Sequence, residues 1–279
     1  MLIGGILALS AVAALVLCGC FGGYDSLAWL WQLPVLFVGG FLALAVIFFL
    51  VVLVSCALVD TNKEQKKDSP YYRFLVRLIA EAAIPILQVR MTTSGLEQIP
   101  KEGRFLLVCN HLDYMDPVIL MHYFRGKQLA FISKRENSSM FVVGKLLHKV
   151  QCQLINREND REALKTILKC IQLIKEDKAS VAVFPEGYIN KDRKFHEFRH
   201  GVFKIAQKAS VPVVVCTVTN THHVFKNAAK LKPTDVSLHV VKVLYPEDYA
   251  GCTTVELGQR VHALMTEDLG PDYVPEEST

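Results

Sequence analysis

The stretch RFLLVCNHLDYMDPVIL (residues 104–120) contains three local patterns in a row. A short apolar run is followed by the polar cluster NHLDYMD (110–116), and a second apolar segment begins at Pro117. A short apolar run is typical of a buried strand, and an Asp-Pro pair is a common helix start. The stretch therefore predicts a strand, a loop and a helix, with polar side chains gathered where the strand ends.

The same alternation continues through the chain. The predicted strands are 104–109, 129–133, 152–155, 180–184, 211–218 and 236–244, and the predicted helices are 117–124, 138–150, 160–176, 201–209 and 254–269. Strands that alternate with helices favour parallel pairing, and nearly continuous apolar strands fit a sheet covered on both faces. We predict one α/β domain with a single mostly parallel sheet and helices on both faces.

The N-terminal region is too apolar for an ordinary soluble domain. The whole chain is 51% hydrophobic with a mean hydropathy of +0.28, yet residues 1–60 contain no Lys or Arg. About 20 apolar residues span a bilayer. Residues 2–21 and 36–59 meet that length, which predicts two membrane helices joined by a turn around Gly22, Gly23 and Asp25. The alternative for the first segment is a cleaved signal peptide. The segment lacks the basic start that signal peptides usually have, although LCGC (17–20) loosely resembles a lipoprotein cleavage site.

Charge is distributed unevenly along the chain. Lys63, Lys66, Lys67, Arg73 and Arg77 directly follow the second apolar segment, so the positive-inside rule places the following domain in the cytoplasm. We therefore expect an integral membrane protein whose α/β domain lies on the cytoplasmic face.

The charge balance also indicates a partner. The net charge is +4, but residues 1–60 contribute −2 and residues 267–279 contribute −5, so residues 61–266 carry +11. A basic domain beside a membrane is suited to anionic lipid. Nucleic acid is the other partner of basic proteins, but the lysines are dispersed and no nucleic-acid motif is present.

Residues 69–87, SPYYRFLVRLIAEAAIPIL, predict a further helix. Ser69 is placed to cap it, Pro70 fits its first turn, and Pro85 ends or kinks it. The helix is mostly apolar, so it lies either in the membrane interface or against the domain core. The predicted division is 1–60 for the two membrane helices, 61–90 for a basic juxtamembrane segment with this helix, 91–270 for the α/β domain and 271–279 for an acidic tail.

The eight cysteines give no sign of a disulfide framework or a zinc site. Only Cys18 and Cys20 are close in sequence, and the other six are scattered. Free thiols fit a reducing compartment.

Polar clusters follow four of the predicted strands. They are NHLDYMD (110–116), SKREN (133–137), NREND (156–160) and PEGY (185–188). Ligands of such sheets bind beyond the carboxyl ends of the strands, so the four clusters are expected to converge on one site.

His111 and Asp116 are the candidates for proton transfer. Residues five apart do not share a helix face, so the two meet only if His111 lies on the loop and Asp116 is the N-cap of the next helix. A carboxylate bonded to one imidazole nitrogen leaves the other free to accept a proton. The alternative is that Asp116 only caps the helix and His111 only lies on a loop.

Four blocks together carry a resemblance. NHLDYMD (110–116), INREND (155–160), FPEGYIN (184–190) and VPVVV (211–215) occur in the order typical of glycerolipid acyltransferases. Residues 90–220 resemble that family, and most closely its 1-acylglycerol-3-phosphate acyltransferases. The resemblance implies transfer of an acyl chain from a thioester, either acyl-CoA or acyl-carrier protein, to the sn-2 hydroxyl of lysophosphatidic acid. The implied product is phosphatidic acid.

The resemblance also implies roles for single residues. His111 is the expected base and Asp116 its orienting partner, with no covalent enzyme intermediate. Arg157 is expected to bind phosphate, Glu186 to hold the glycerol or its binding loop, and Lys134 to bind phosphate or the oxyanion. The expected substrate-binding residues are Asn110, Lys134, Arg157, Glu186 and Gly187, and no metal or other cofactor is expected.

The third block departs from the family pattern. It usually continues Thr-Arg-Ser, whereas here it continues Tyr188-Ile189-Asn190, so its arginine is missing. The basic residues nearest in sequence that could supply the charge are Lys191, Arg193, Lys194 and Arg199.

Several other functions fit parts of the pattern. Cys109, two residues before His111, could be a nucleophile that forms an acyl-enzyme. His111, Asp113, Asp116, His222 and His223 could bind a metal in a hydrolase, although none has the tight spacing of a known metal motif. The protein could bind lipid without catalysis, or use glycerol-3-phosphate or another lysolipid as its acceptor.

Overall fold

The computed structural model describes residues 2–21, 24, 26–63, 65, 67–189, 192 and 194–273. The chain forms two compact units, Met1–Asn62 and Lys63–Thr279. The turn predicted around Gly22, Gly23 and Asp25 lies outside the described residues, as does most of the predicted acidic tail.

The N-terminal unit contains two helices, α1 (Leu2–Cys20) and α2 (Trp29–Ala57). Both are long and apolar enough to cross a membrane. Helix α2 begins seven residues earlier than predicted, because the uncharged residues before position 36 extend it through Pro34. In α1 the buried residues Ser10, Ala14 and Cys18 recur every fourth position, so they lie on one face of that helix.

The second unit is an α/β domain. In chain order its elements are α3 (Pro70–Ile86), β1 (Val89–Ser94), β2 (Leu106–Cys109), α4 (Met115–Tyr123), β3 (Leu129–Lys134), α5 (Phe141–Lys149), β4 (Gln153–Ile155), α6 (Asp160–Lys175), β5 (Ser180–Val183), α7 (Lys204–Ala209), β6 (Val213–Thr219), α8 (Val224–Ala228), β7 (Thr234–Leu244) and α9 (Thr254–Leu269).

The strands form one sheet in the order β1-β7-β6-β2-β5-β3-β4. Every neighbouring pair is parallel except β6 and β7, which are antiparallel. The predicted fold class, a mostly parallel sheet with helices on both faces, is confirmed. Because β2 lies near the middle, the loop after it opens at the carboxyl edge between β5 and β6.

Strand β2 shows why the apolar runs are continuous. All four of its residues are fully buried. Leu106 and Val108 pack into a core beneath α6, α7 and α9, whereas Leu107 and Cys109 pack into a core beneath α3 and α4. Alternate residues therefore face two apolar layers, as expected of a strand covered on both sides.

Several elements of the second unit differ from the sequence prediction. Strand β1 was not predicted, because it is an edge strand of sequence VRMTTS in which only Val89 is buried. Helix α8 is short and was also not predicted. Helix α5 begins at Phe141 instead of residue 138, since residues 135–139 form a 3-10 turn.

Helix α3 packs as part of the domain. Ser69 occupies the N-cap position and Pro70 follows it, as predicted, but the Ser69 side chain makes no capping hydrogen bond. Pro85 lies inside the last turn, so the helix runs one residue beyond it. Its buried residues Leu75 and Leu78 favour the prediction that the helix lies against the core. A membrane contact for its exposed Phe74 stays a prediction.

Arg73 ties α3 to the edge of the sheet. Its Nε donates to both carboxylate oxygens of Asp68, at 3.0 and 2.9 Å. Its terminal nitrogens donate to the backbone carbonyls of Leu129 and Val150, which belong to buried residues. Carbonyls buried beside apolar helices depend on such a donor, because water cannot reach them.

We expect Arg73→Met to lower the free energy of unfolding by about 2–4 kcal/mol, since two buried carbonyls lose their charged donor. Thermal and denaturant unfolding of the purified protein in detergent would measure this. Arg161→Met is the matched control, because Arg161 is exposed on α6. Equal stability of the two variants would contradict the structural role of Arg73.

Candidate active site

The loop after β2 brings His111 and Asp116 together. The imidazole Nδ1 lies 2.7 Å from Oδ2 of Asp116, and that oxygen also accepts the backbone N–H groups of Leu112 at 2.7 Å and Asp113 at 2.8 Å. Asp116 is fully buried. One carboxylate oxygen thus fixes both the loop and the imidazole ring.

The predicted role of Asp116 as N-cap is wrong. Tyr114 is the N-cap residue and α4 begins at Met115, so Asp116 is the second helical residue. Its carboxylate accepts the N–H groups of Leu112 and Asp113, which precede the helix. An N-cap side chain would instead accept an N–H group of the first helical turn. The predicted contact with His111 is nevertheless present.

The hydrogen bonding fixes the chemistry available to His111. A carboxylate accepts, so in the neutral imidazole Nδ1 carries the proton and Nε2 holds the lone pair. The ring stacks on Phe184, with centroids 4.1 Å apart and planes 15° apart. The imidazole is therefore held on both its edge and its face. Phe184 belongs to the third sequence block, but nothing in that block indicated ring stacking.

Glu186 joins this loop to a second segment. Its Oε1 accepts the backbone N–H of His111 at 2.9 Å, and its Oε2 accepts that of His196 at 3.1 Å. The side chain is 2% exposed. Burial raises its pKa to about 7, against the lowering effect of these two N–H groups. Glu186 thus supports the loop of His111; direct contact with a substrate stays a prediction.

The Asn110 side chain, expected to bind substrate, makes its hydrogen bonds to the protein backbone. Its amide oxygen accepts the backbone N–H of Val218 at 2.8 Å, and its amide nitrogen donates to the Val218 carbonyl at 2.9 Å. The residue is fully buried. Both ends of the amide are used to clamp β2 to β6, so Asn110 has a structural task at the edge of the site.

Lys134 and Arg157 both line an apolar cavity with His111. Lys134, at the end of β3, is half-exposed, and its Nζ lies 3.1 Å from Oε1 of Glu136. Arg157 follows β4, and its pKa is lowered by partial burial and by nearby Arg199. The structure thus brings two of the predicted cationic groups to the same cavity as the imidazole.

The apolar cavity has a volume of about 560 Å³ and lies on the sheet face covered by α3, α4 and α5. Its apolar lining includes Val76, Ala80, Val118, Met121, Leu146 and Val150. A second cavity of about 510 Å³ lies on the opposite face, beneath α6 and α7. Arg157 and Phe184 line both cavities, so the two cavities approach each other beyond the end of β5.

Gly187 allows the chain to turn between the two cavities. Its φ is +86°, in the region that favours glycine. A Cβ at this position would lie 3.1 Å from the Arg199 side chain and 4.0 Å from Nε of Arg157. The lack of a side chain therefore gives room to two guanidinium groups. Asn190, Lys191 and Arg193 lie outside the described residues.

Cys109 is unsuited to act as a nucleophile. It is fully buried within β2, and burial raises the pKa of its thiol well above the usual value. A reactive cysteine needs the opposite environment, in which a cation or a helix start stabilises the thiolate. Among the residues that the structure describes, no group of three or more His, Cys, Asp and Glu side chains is arranged to hold a metal ion.

Part of the domain is similar in sequence to known acyltransferases. Residues 90–219 match the family model described as Acyltransferase. The chain is 32% identical over 164 residues to the 1-acyl-sn-glycerol-3-phosphate acyltransferase of Chlamydomonas reinhardtii, covering 58% of this chain and 48% of that protein. It is 29% identical over 203 residues to the probable 1-acyl-sn-glycerol-3-phosphate acyltransferase of Mycoplasma pneumoniae, covering 70% and 75%.

A solved structure shares the fold. The crystal structure of the 1-acyl-sn-glycerophosphate (LPA) acyltransferase PlsC from Thermotoga maritima superposes with a TM-score of 0.62 at 23% identity. The match covers 80% of this chain and 87% of the other. The matched region spans about half the length of the Chlamydomonas relative. The resemblance inferred from the four blocks is confirmed.

We expect Glu186 to make stability depend on pH. Its pKa is raised to about 7, so the folded state binds this proton more tightly than the unfolded state. Stability should then fall as pH rises from about 4.5 to 7, by an amount on the order of 3 kcal/mol. Glu186→Gln removes the titration. The free energy of unfolding of the variant, minus that of the native protein, should therefore be larger at pH 8 than at pH 5, because only the native protein loses stability as the pH rises. A difference that does not change with pH would contradict this.

Proposed function

We propose that the chain, whose residues 90–219 match the acyltransferase family model, transfers a fatty acyl group to the sn-2 hydroxyl of lysophosphatidic acid. The donor is a thioester, acyl-CoA or acyl-carrier protein, and the product is phosphatidic acid. The observation that carries this proposal is the His111–Asp116 contact of 2.7 Å at the wall of an apolar cavity.

The imidazole supplies the base. Asp116 holds Nδ1 in its protonated form, so Nε2 accepts the proton of the acceptor hydroxyl. The hydroxyl oxygen attacks the thioester carbonyl carbon, the C–S bond breaks, and the proton passes from Nε2 to the departing thiolate. No covalent bond to the enzyme is needed, since a thioester is already an activated acyl donor.

The surrounding side chains support the charge and the acyl chain. Lys134 is a cation in the same cavity as the imidazole, where it can stabilise the oxyanion that develops at the carbonyl. A volume of about 560 Å³ lies within the range of ligand cavities, and the aliphatic lining suits an acyl chain. Arg157 is the proposed phosphate ligand, because a guanidinium binds phosphate through paired hydrogen bonds.

The membrane segments complete the proposal. Helices α1 and α2 are long and apolar enough to cross a bilayer, and Lys63 and Lys67 follow them. By the positive-inside rule, that order of charge supports a domain on the cytoplasmic side. The protein would then work where both its lipid substrate and its product reside.

We expect His111→Ala to lower kcat by at least about 10²-fold, the usual effect of losing a positioned base. The measurement uses membranes containing the protein, labelled lysophosphatidic acid and long-chain acyl-CoA, with acyl-carrier protein as the second donor. His223→Ala is the matched control, because His223 is exposed beyond β6. A loss below about threefold for His111→Ala would refute the mechanism. Binding of lysolipid without turnover would favour the non-catalytic alternative.

Cys109→Ala should keep kcat within about threefold of the native value, since a buried thiol of raised pKa cannot supply a thiolate. The same assay measures it, with thermal unfolding as a check that the variant folds. A folded variant that loses activity as His111→Ala does would indicate an acyl-cysteine intermediate.

A further inference from the structure

The second cavity, which we call the basic cavity, combines an apolar floor with cationic walls. Its floor includes Ile155, Leu164, Ile167 and Val183. Its basic lining residues are Arg157, Arg199, Lys204 and Lys208, against one carboxylate, Asp160. An excess of cations over acids around a cavity favours an anionic ligand.

The side chains of Arg199 and Arg157 both lie close to Gly187. Measured from the position of a Cβ on Gly187, Nε of Arg199 is 3.1 Å away and Nε of Arg157 is 4.0 Å away. Neither arginine side chain makes a hydrogen bond or ion pair with any residue that the structure describes. Burial and then the charge of Arg199 lower the pKa of Arg157, as expected when like charges approach each other, and the carboxylate of Glu136 opposes them with a smaller effect.

Such a pair is unfavourable without an anion. Two guanidinium cations repel each other at close range. A phosphate placed between them would remove the repulsion and accept paired hydrogen bonds from each plane. Lys would serve less well at either position, since it lacks the planar fork.

The fold holds Arg199 at this point. Its backbone N–H donates to the carbonyl of Pro185 at 2.9 Å, and three residues earlier His196 donates to Glu186. The segment that precedes α7 is therefore tied along the turn that contains Gly187. Ile189, which replaces the arginine usual in the third block, instead lines the apolar cavity.

We infer that Arg199 and Arg157 together bind the phosphate ester of the acceptor, with Arg199 supplying the charge that position 189 lacks. This inference rests on the proposed function and deepens it. It makes Arg199 a determinant of acceptor specificity, and it makes the acceptor a phosphomonoester in preference to a neutral glycerolipid. The phosphates of a coenzyme A donor have the same chemistry, so the test separates the two substrates.

The kinetic test uses Arg199→Gln, Arg199→Lys and the control Arg161→Gln, whose side chain lies outside both cavities. Lysophosphatidic acid is varied in mixed micelles at fixed acyl-CoA, and then acyl-CoA is varied at fixed lysophosphatidic acid. We expect Arg199→Gln to raise the acceptor KM by about tenfold or more, with little change in the donor KM. Arg199→Lys should recover part of the loss, and Arg161→Gln should behave as the native protein.

Two kinetic outcomes would overturn the inference. A rise in the donor KM alone would assign the pair to the donor's phosphates. Unchanged KM values for both substrates would show that Arg199 is not a phosphate ligand. Because Arg199 is exposed, its variants should keep the native melting temperature, which is measured for each.

A binding measurement separates this inference from the proposed function. Calorimetric titration with sn-glycerol 3-phosphate, without any donor, should give saturable binding that Arg199→Gln weakens by about tenfold or more. If the native protein binds this probe through Arg199 but transfers no acyl group, the proposed function fails and the phosphate site stands. If acyl transfer proceeds equally in Arg199→Gln and the probe does not bind, the phosphate site fails and the function stands.

Discussion

The site depends on one buried oxygen, Oδ2 of Asp116. It accepts two backbone N–H groups of the loop and contacts Nδ1 of His111, all within 2.8 Å. A buried carboxylate is costly unless hydrogen bonds compensate it, so this oxygen forces the loop to close around it. The position of the imidazole is a consequence of that closure.

A second buried carboxylate extends the same constraint across the site. Glu186 binds the backbone of His111 through one oxygen and that of His196 through the other. The loop after β2 and the segment before α7 are thereby held to one turn. The segments of His111 and Arg199 are consequently held to each other, although 88 residues separate these two in sequence. The raised pKa of Glu186 indicates that its ionised form lowers the stability of the folded state.

The sheet explains why the domain has two different cavities. Alternate residues of a strand point to opposite faces, so each face is covered by its own helices and leaves its own space beyond the strand ends. Here one space is apolar and the other is lined by cations. Phe184 and Arg157 border both. The proposed acyl chain and the proposed phosphate would thus occupy separate environments on the two faces of the sheet.

The sequence by itself determined the parallel α/β sheet, the apolar N-terminal segments and the pairing of His111 with Asp116. These rest on local periodicity and short-range spacing, which a chain carries in its own order. It did not reveal β1, whose polar edge residues show no apolar period. It also assigned Asn110 to substrate and Asp116 to the N-cap, because hydrogen-bond partners such as Val218 are distant in sequence. Only the tertiary structure decided that Arg199 lies beside Gly187. The Arg199 N–H donates to the Pro185 carbonyl, and the His196 N–H donates to the Glu186 carboxylate, and these two bonds bring Arg199 there.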